Sequence, residues 1–218
     1  MARSFLFVAH DSSPFLSFYD DLMRKCLNFT GGNPANVGRG CAFSPDGSRL
    51  AVAHSDSPFL TVYNTSNWSK VALTGGNPAS AGYGCAFSPD GSRLAVAHNG
   101  SPFLTVYNTS NWSKAALTGG NPPSIGYGCA FSPDGSRLAV AHDGSPFLTV
   151  YNTSNWSKVA LTGGNPPSIG YGCAFSPLIG GTISNEDTTP ITDALNVPVV
   201  RRVVALRRSD MAILAVLS

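Results

Sequence analysis

"GCAFSPDGSRLAVAH" fills Gly40 to His54 and returns unchanged at Gly84 to His98 and Gly128 to His142. With Cys41, Cys85, Cys129 and Cys173 as marks, the interval is 44 residues each time. The copies Cys85 to Gly128 and Cys129 to Gly172 differ only at Asn99 against Asp143 and Ala115 against Val159, which points to recent duplication. A catalytic site gathers different residue types in one place, whereas here the same types recur at equal intervals. The pattern therefore speaks first for architecture.

Each copy reads as four short strands. CAFSP alternates, with Cys41 and Phe43 on one face, and Asp46-Gly47 suits a two-residue hairpin turn. SRLAVAH follows, with Leu50 and Val52 on one face. SDSP or NGSP turns the chain into FLTVYN, whose aromatic and β-branched residues fill a pleated surface. TSN precedes WSKVALT, a fourth strand, and GGNPASAGYG is a flexible Gly/Pro connection to the next copy. Four antiparallel strands in about 44 residues make one blade of a β-propeller.

Composition agrees with an all-β chain. Charged residues are 12% of the 218, about half of ordinary usage, and 23 Gly with 16 Pro supply the turns. The length accommodates one domain of about 150–200 residues and an appendage. A net charge of +2 gives no basic field for phosphate, so nucleic acid is not an expected partner. No run approaches the roughly 20 apolar residues that span a bilayer, so no membrane insertion is expected. The opening MARSFLFVAHDSSPF is interrupted by His10 and Asp11 and has no small-residue cleavage site after it. It reads as a chain made and kept in the cytosol.

CAFSPDGSRLAVA resembles the inner strand and hairpin of WD-repeat propellers, over about residues 4 to 177. The Trp-Asp pair of that family is replaced by Tyr63-Asn64, Tyr107-Asn108 and Tyr151-Asn152, and the Gly-His element is absent. Residues 4 to 20 match the second and third strands of a blade, so the first blade begins without its innermost strand. Cys173, Ala174 and Phe175, within CAFSP at 173–177, form a further inner strand with no blade behind it. If that strand pairs with the early hairpin, a four-bladed ring closes; exchange of the strands between two chains would build a larger joint ring.

Beyond Pro177 the repeat stops. "GGTISN... PVVRRVVALRRSD" resembles the opening of carboxypeptidase-regulatory-like β-sandwich modules, over about 40 residues. Residues 178–218, which end on the apolar MAILAVLS, are expected to be a β-sandwich-like docking segment.

Few residues invite a chemical role. His10, His54, His98 and His142 recur once per blade and could meet as metal ligands, but repetition alone accounts for them as strand-end hydrogen-bonding groups. The registered cysteines contain no C-x-x-C pair and read as packing, and Cys26 makes the total odd. Asp46-Gly47, Asp90-Gly91 and Asp134-Gly135 read as turn residues, not as catalytic acids. Trp68, Trp112 and Trp156 read as blade packing before sugar platforms. Asn64-Thr-Ser and Asn67-Trp-Ser match the glycosylation pattern incidentally, and Arg201, Arg202, Arg207 and Arg208 mark a solvated face. No phosphate loop, nucleophile elbow or acid-base pair is found, and neither a cofactor nor a metal is expected.

The combination of AFSPDGSRLAVAH...SPFLTVYNTSNWSKVA blades with a GTISN-type segment resembles structural proteins encoded in tailed bacteriophages and prophages. The resemblance implies a non-enzymatic virion component of the tail or tail tip, assembled in the bacterial cytoplasm as a homo-oligomer. Its propeller loops would meet a host receptor or glycan, and residues 178–218 would dock to other virion proteins. The alternative is a cytosolic WD-repeat-like scaffold for protein partners; a propeller-face hydrolase is the third reading.

Overall fold

The computed structural model describes residues 6–19, 22–26 and 31–176; the expected docking segment at 178–218 lies outside the described residues. The described chain is all β, in four consecutive antiparallel sheets. Sheet 1 holds β1 (Leu6–Ala9), β2 (Leu16–Tyr19) and β3 (Lys25–Cys26). Sheet 2 holds β4 (Gly38–Phe43), β5 (Arg49–His54) and β6 (Leu60–Asn64); sheet 3 holds β7 (Gly82–Phe87), β8 (Arg93–His98) and β9 (Leu104–Asn108). Sheet 4 holds β10 (Gly126–Phe131), β11 (Arg137–His142), β12 (Leu148–Asn152) and β13 (Lys158–Val159). This is a four-bladed, propeller-like fold.

RLAVAH becomes the middle strand because both of its faces can be covered. Leu50, Val52 and Tyr63 face sheet 1, where they pack with Phe7, Leu16 and Phe18. Ala51, Leu60 and Val62 face sheet 3 and meet Leu94, Val96, Tyr107 and Trp112. The same division recurs between sheets 3 and 4. Each of these apolar side chains is removed from water almost completely, at about 1.5–3 kcal/mol per large residue, so the contacts between sheets carry the stability, as in other repeat arrays.

Three details differ from the sequence reading. The inner strands begin three residues early, at Gly38, Gly82 and Gly126. GYG is therefore strand and not flexible connection. A Cβ at Gly82 would lie 2.6 Å from the Phe59 carbonyl oxygen, so the glycine provides room for the backbone of the preceding turn. The Asp-Gly hairpins are not two-residue turns: Ser44 N–H donates to Arg49 O and Gly47 N–H to Ser44 O, enclosing a four-residue loop with Gly47 at φ 69°. The fourth strand is also shorter than WSKVALT. It is the two residues of β3 in sheet 1 and of β13 in sheet 4, and one bridge in sheets 2 and 3, Tyr63 to Lys70 and Tyr107 to Lys114. The chain leaves after that bridge to bond the next repeat, with Gly75 N–H donating to Trp112 O.

The closing segment is placed differently from the expectation as well. Cys173, Ala174 and Phe175 form no strand pairing with β1, and β1 pairs with β2 alone among the described residues. They lie against sheet 4 instead, with Cys173 Sγ 3.5 Å from Ala139 O. Cys129 holds the same position against sheet 3, its Sγ 3.6 Å from Ala95 O. The repeat's packing thus continues past sheet 4 through one more segment at the inner-strand position, which itself pairs into no sheet.

Candidate functional site

The turn aspartates are fully engaged within their own hairpins. Asp46 Oδ1 accepts from Ser44 Oγ at 2.6 Å and from Ser48 N–H at 3.0 Å, while Oδ2 accepts from Ser48 Oγ at 2.8 Å. These hydrogen bonds, the Ser44 hydroxyl foremost, hold the Asp46 carboxyl down at about pKa 2. Asp134 is held down to about 2 in the same way, led by Ser132, and Asp90 is lowered with Ser88 as the main cause. A carboxylate so committed is a weak base. Successive hairpins border shallow clefts, one of about 240 Å³ between Asp46 and Asp90 with Trp112 on its wall, and one of about 490 Å³ between Asp90 and Asp134.

Trp112 and Trp156 are buried in the contacts between sheets, and Trp68 is half-buried against Phe7 and Phe18. All three have a left-handed backbone at φ 57°, which turns the indole back onto the preceding sheet.

The histidines stand apart from one another, each inside its own sheet. His54, His98 and His142 are wholly buried, with Nε2 hydrogen-bonded at 2.9 Å to the hydroxyls of Thr61, Thr105 and Thr149. Burial lowers all three pKa values, that of His98 to about 4, against a smaller upward pull from the backbone of Gly100. These imidazoles are neutral structural groups at pH 7. Burial also raises the thiols, Cys85 to about 12 and Cys129 well above its ordinary value, so neither supplies a thiolate. Among the described residues no group of three or more His, Cys, Asp or Glu is arranged to hold a metal ion. No helix among them is long and apolar enough to cross a membrane.

The inner strands carry an arrangement that the sequence reading missed. Arg39 in β4, Tyr83 in β7, Tyr127 in β10 and Tyr171 beyond them occupy equivalent positions, one per repeat, and their side chains form a continuous row. The Arg39 guanidinium lies 4.4 Å from the Tyr83 ring centre. Tyr83 and Tyr127 are 5.1 Å apart, edge to face, and Tyr127 and Tyr171 are 5.3 Å apart. Tyr83 and Tyr127 are half-buried, Arg39 is exposed, and Tyr171 is 71% exposed. Each row member sits between two glycines at close-packed inner strands: a Cβ on Gly40 would be 2.8 Å from Tyr83 O. The signal was the recurring G-Y-G before each registered cysteine, with Arg39 in the first copy. Read as a linker, it concealed a strand whose one large side chain must leave the glycine-lined backbone. The row offers π faces, hydroxyls and one cation to a partner, with no group poised to transfer a proton or attack a bond.

Neither a protein-family model nor a curated protein matches this chain. Solved structures do match. The chain is similar to hydrazine synthase of Kuenenia stuttgartiensis, with 22% identity over 72% of this chain and 45% of that one, at a TM-score of 0.58. It is also similar to the WD40 repeats of RRP9, with 18% identity over 56% of this chain and 37% of that one, at a TM-score of 0.49. The chain spans less than half the length of either. At 22% identity the first likeness shows a shared fold alone.

Proposed function

We propose that this chain is a non-enzymatic binding scaffold whose row of Arg39, Tyr83, Tyr127 and Tyr171 meets a partner's surface. The observation that carries this reading is the contrast between that row and the rest of the repeat. The turn aspartates are hydrogen-bonded inside their hairpins and the histidines are buried inside their sheets, whereas the row leaves Arg39 and Tyr171 exposed and Tyr83 and Tyr127 half-exposed. Tyrosine and arginine together are the side chains most enriched where proteins bind one another.

The finer reading is a component of a bacteriophage virion, at the tail or tail tip. Its propeller loops would face a host receptor or surface glycan, and residues 178–218 would dock to other virion proteins. The likeness of the repeated AFSPDGSRLAVAH...SPFLTVYNTSNWSKVA units to phage-encoded structural proteins supports it. Mass spectrometry of purified particles from a producing culture tests it. Recovery of the chain at fixed copy number per particle is the expected result; recovery in the soluble cell fraction alone would favour a cytosolic scaffold. For the binding surface, particles carrying Tyr83→Ala with Tyr127→Ala should attach to host cells at least tenfold more slowly at unchanged melting temperature. Attachment at the normal rate would remove the row from the reading.

A further inference from the structure

The two ends of the four-sheet array present complementary halves of the contact that joins every neighbouring pair of sheets. On sheet 4, Leu148 and Val150 are partly exposed, although their counterparts Leu60, Val62, Leu104 and Val106 are each only 1% exposed beneath the next sheet. On sheet 1, Leu6 is 50% and Val8 41% exposed, although their counterparts Leu50, Val52, Leu94 and Val96 are fully buried against the sheet before. Among the described residues, no sheet follows sheet 4 and none precedes sheet 1. The strand complement matches too: residues 170–176 lie beyond sheet 4 at the position of an inner strand, without forming one, and sheet 1 is the sheet in which the second-strand equivalent, β1, stands at the edge. The close approach of inner strands stops at the same place. A Cβ on Gly128 would meet Gly172 at 2.9 Å, while one on Gly172 meets no described atom within 4 Å.

We propose that a second copy of this chain covers sheet 4. Its sheet 1 adds to residues 170–176 of the first copy, and the reciprocal contact closes a two-chain ring of eight sheets, within the range that propellers adopt. The pairing register derives from β4 and β5, where Cys41 faces Val52 and Phe43 faces Leu50. One repeat earlier on the β5 side and three later on the β4 side, Cys173 would face Val8, and Phe175 would face Leu6, of the second copy. The second copy's Arg39 would then follow Tyr171 in the row, between it and the Tyr83 that Arg39 already covers, and the row would run on from one copy into the next. The occupant is a second copy because the exposed Leu6 and Val8 are the same residue types, in the same strand register, that already fill this contact three times within each chain.

Sedimentation of the full chain at micromolar concentration should give twice the chain mass. Val8→Asp, at a site exposed in the single chain and so compatible with folding, should weaken the dimer by at least about a hundredfold while the far-ultraviolet spectrum is unchanged. A second variant fixes the geometry. Val8→Cys, oxidised with copper phenanthroline, should yield a covalent dimer on non-reducing gels that disappears when Cys173→Ser is added. A monomeric wild-type chain, assemblies longer than two copies, or an unchanged dimer in Val8→Asp would each overturn the proposal. So would a Val8→Cys crosslink confined within one chain, which would mean that the chain's own sheet 1 covers sheet 4.

Discussion

Sheets 1 and 2 meet through Phe7, Phe18 and Trp68, whereas sheets 2 and 3 meet at the equivalent positions through Ala51, Val62 and Trp112. The backbone registers of β1 with β2 and of β5 with β6 correspond residue for residue. In the second contact, small Ala51 leaves room for the indole of Trp112, which is 8% exposed. In the first, Phe7 and Phe18 stack at 5.2 Å and fill that room. Trp68 is left half-buried on top of them, and Phe43 makes an edge contact with Phe7 while remaining 40% exposed. One backbone arrangement therefore tolerates two ways of filling a similar volume, as packed interiors do when total volume is conserved.

The largest expected effect contrasts the two tryptophans. Trp112→Ala opens a cavity beside Ala51 and should cost about 3–5 kcal/mol, while Trp68→Ala, removing an indole already in part solvated, should cost less than half as much. Urea unfolding of the two variants at equal slope measures both values; equal costs would mean that the two contacts are filled alike.

Acid is the next probe, because the buried imidazoles belong to the same sheets as these contacts. In the unfolded chain a histidine titrates near 6.5, and in the folded chain His98 is held to about 4. Between those values the unfolded state binds the extra proton. Stability from the neutral imidazole is thus complete above about pH 6.5 and is lost as pH falls toward 4, on the order of 3 kcal/mol for His98. Denaturant midpoints taken from pH 7 to 4 should fall, and His98→Gln should flatten the slope. A midpoint that holds level down to pH 4 would contradict the buried, neutral assignment.

The third test rebuilds the first contact in the image of the second. Phe7→Ala and Phe18→Val should each destabilise on its own. Together they should cost about 1.5 kcal/mol less than the sum, because Trp68 can then occupy the space that Trp112 occupies one repeat later. Strict additivity would show that Trp68 is held outward by something other than the two rings.

Repetition decided how much of this was legible in the letters. The period, the middle strand RLAVAH and the third strand LTVYN could be read because their nearly continuous apolar and β-branched runs reflect burial on both faces, a property local to the strand. The row of Arg39 and three tyrosines was not legible, since the glycines of GYG look like freedom in a string of letters. Only the distance from Gly82 to Phe59 O reveals them as a demand for space. WSKVALT was over-read for the related reason that its later half bonds to the next repeat, a partner that strand propensity cannot name. The placement of Cys173 to Phe175 depends on which sheet lies beside them, and the near-identity of the inner strands offers no clue to that choice.

The smallest expected effect is also the most uniform. Ser44, Ser88 and Ser132 are nearly buried, and each hydroxyl donates to the turn aspartate while accepting from the N–H of Arg49, Arg93 or Arg137 at 2.9 Å. Serine to alanine at any of them removes the donor that holds the aspartate and the acceptor of that N–H. Asp46, Asp90 and Asp134 are exposed, so water replaces the lost donor at the carboxylate. The net cost is about 1 kcal/mol. Because the three hairpins have the same sequence and the same geometry, the three losses should agree within experimental error even though the contacts between sheets differ. Unequal losses in thermal melts would mean that the hairpins sense which sheet is packed beside them, and that the difference between the first contact and the second reaches the rim of the array.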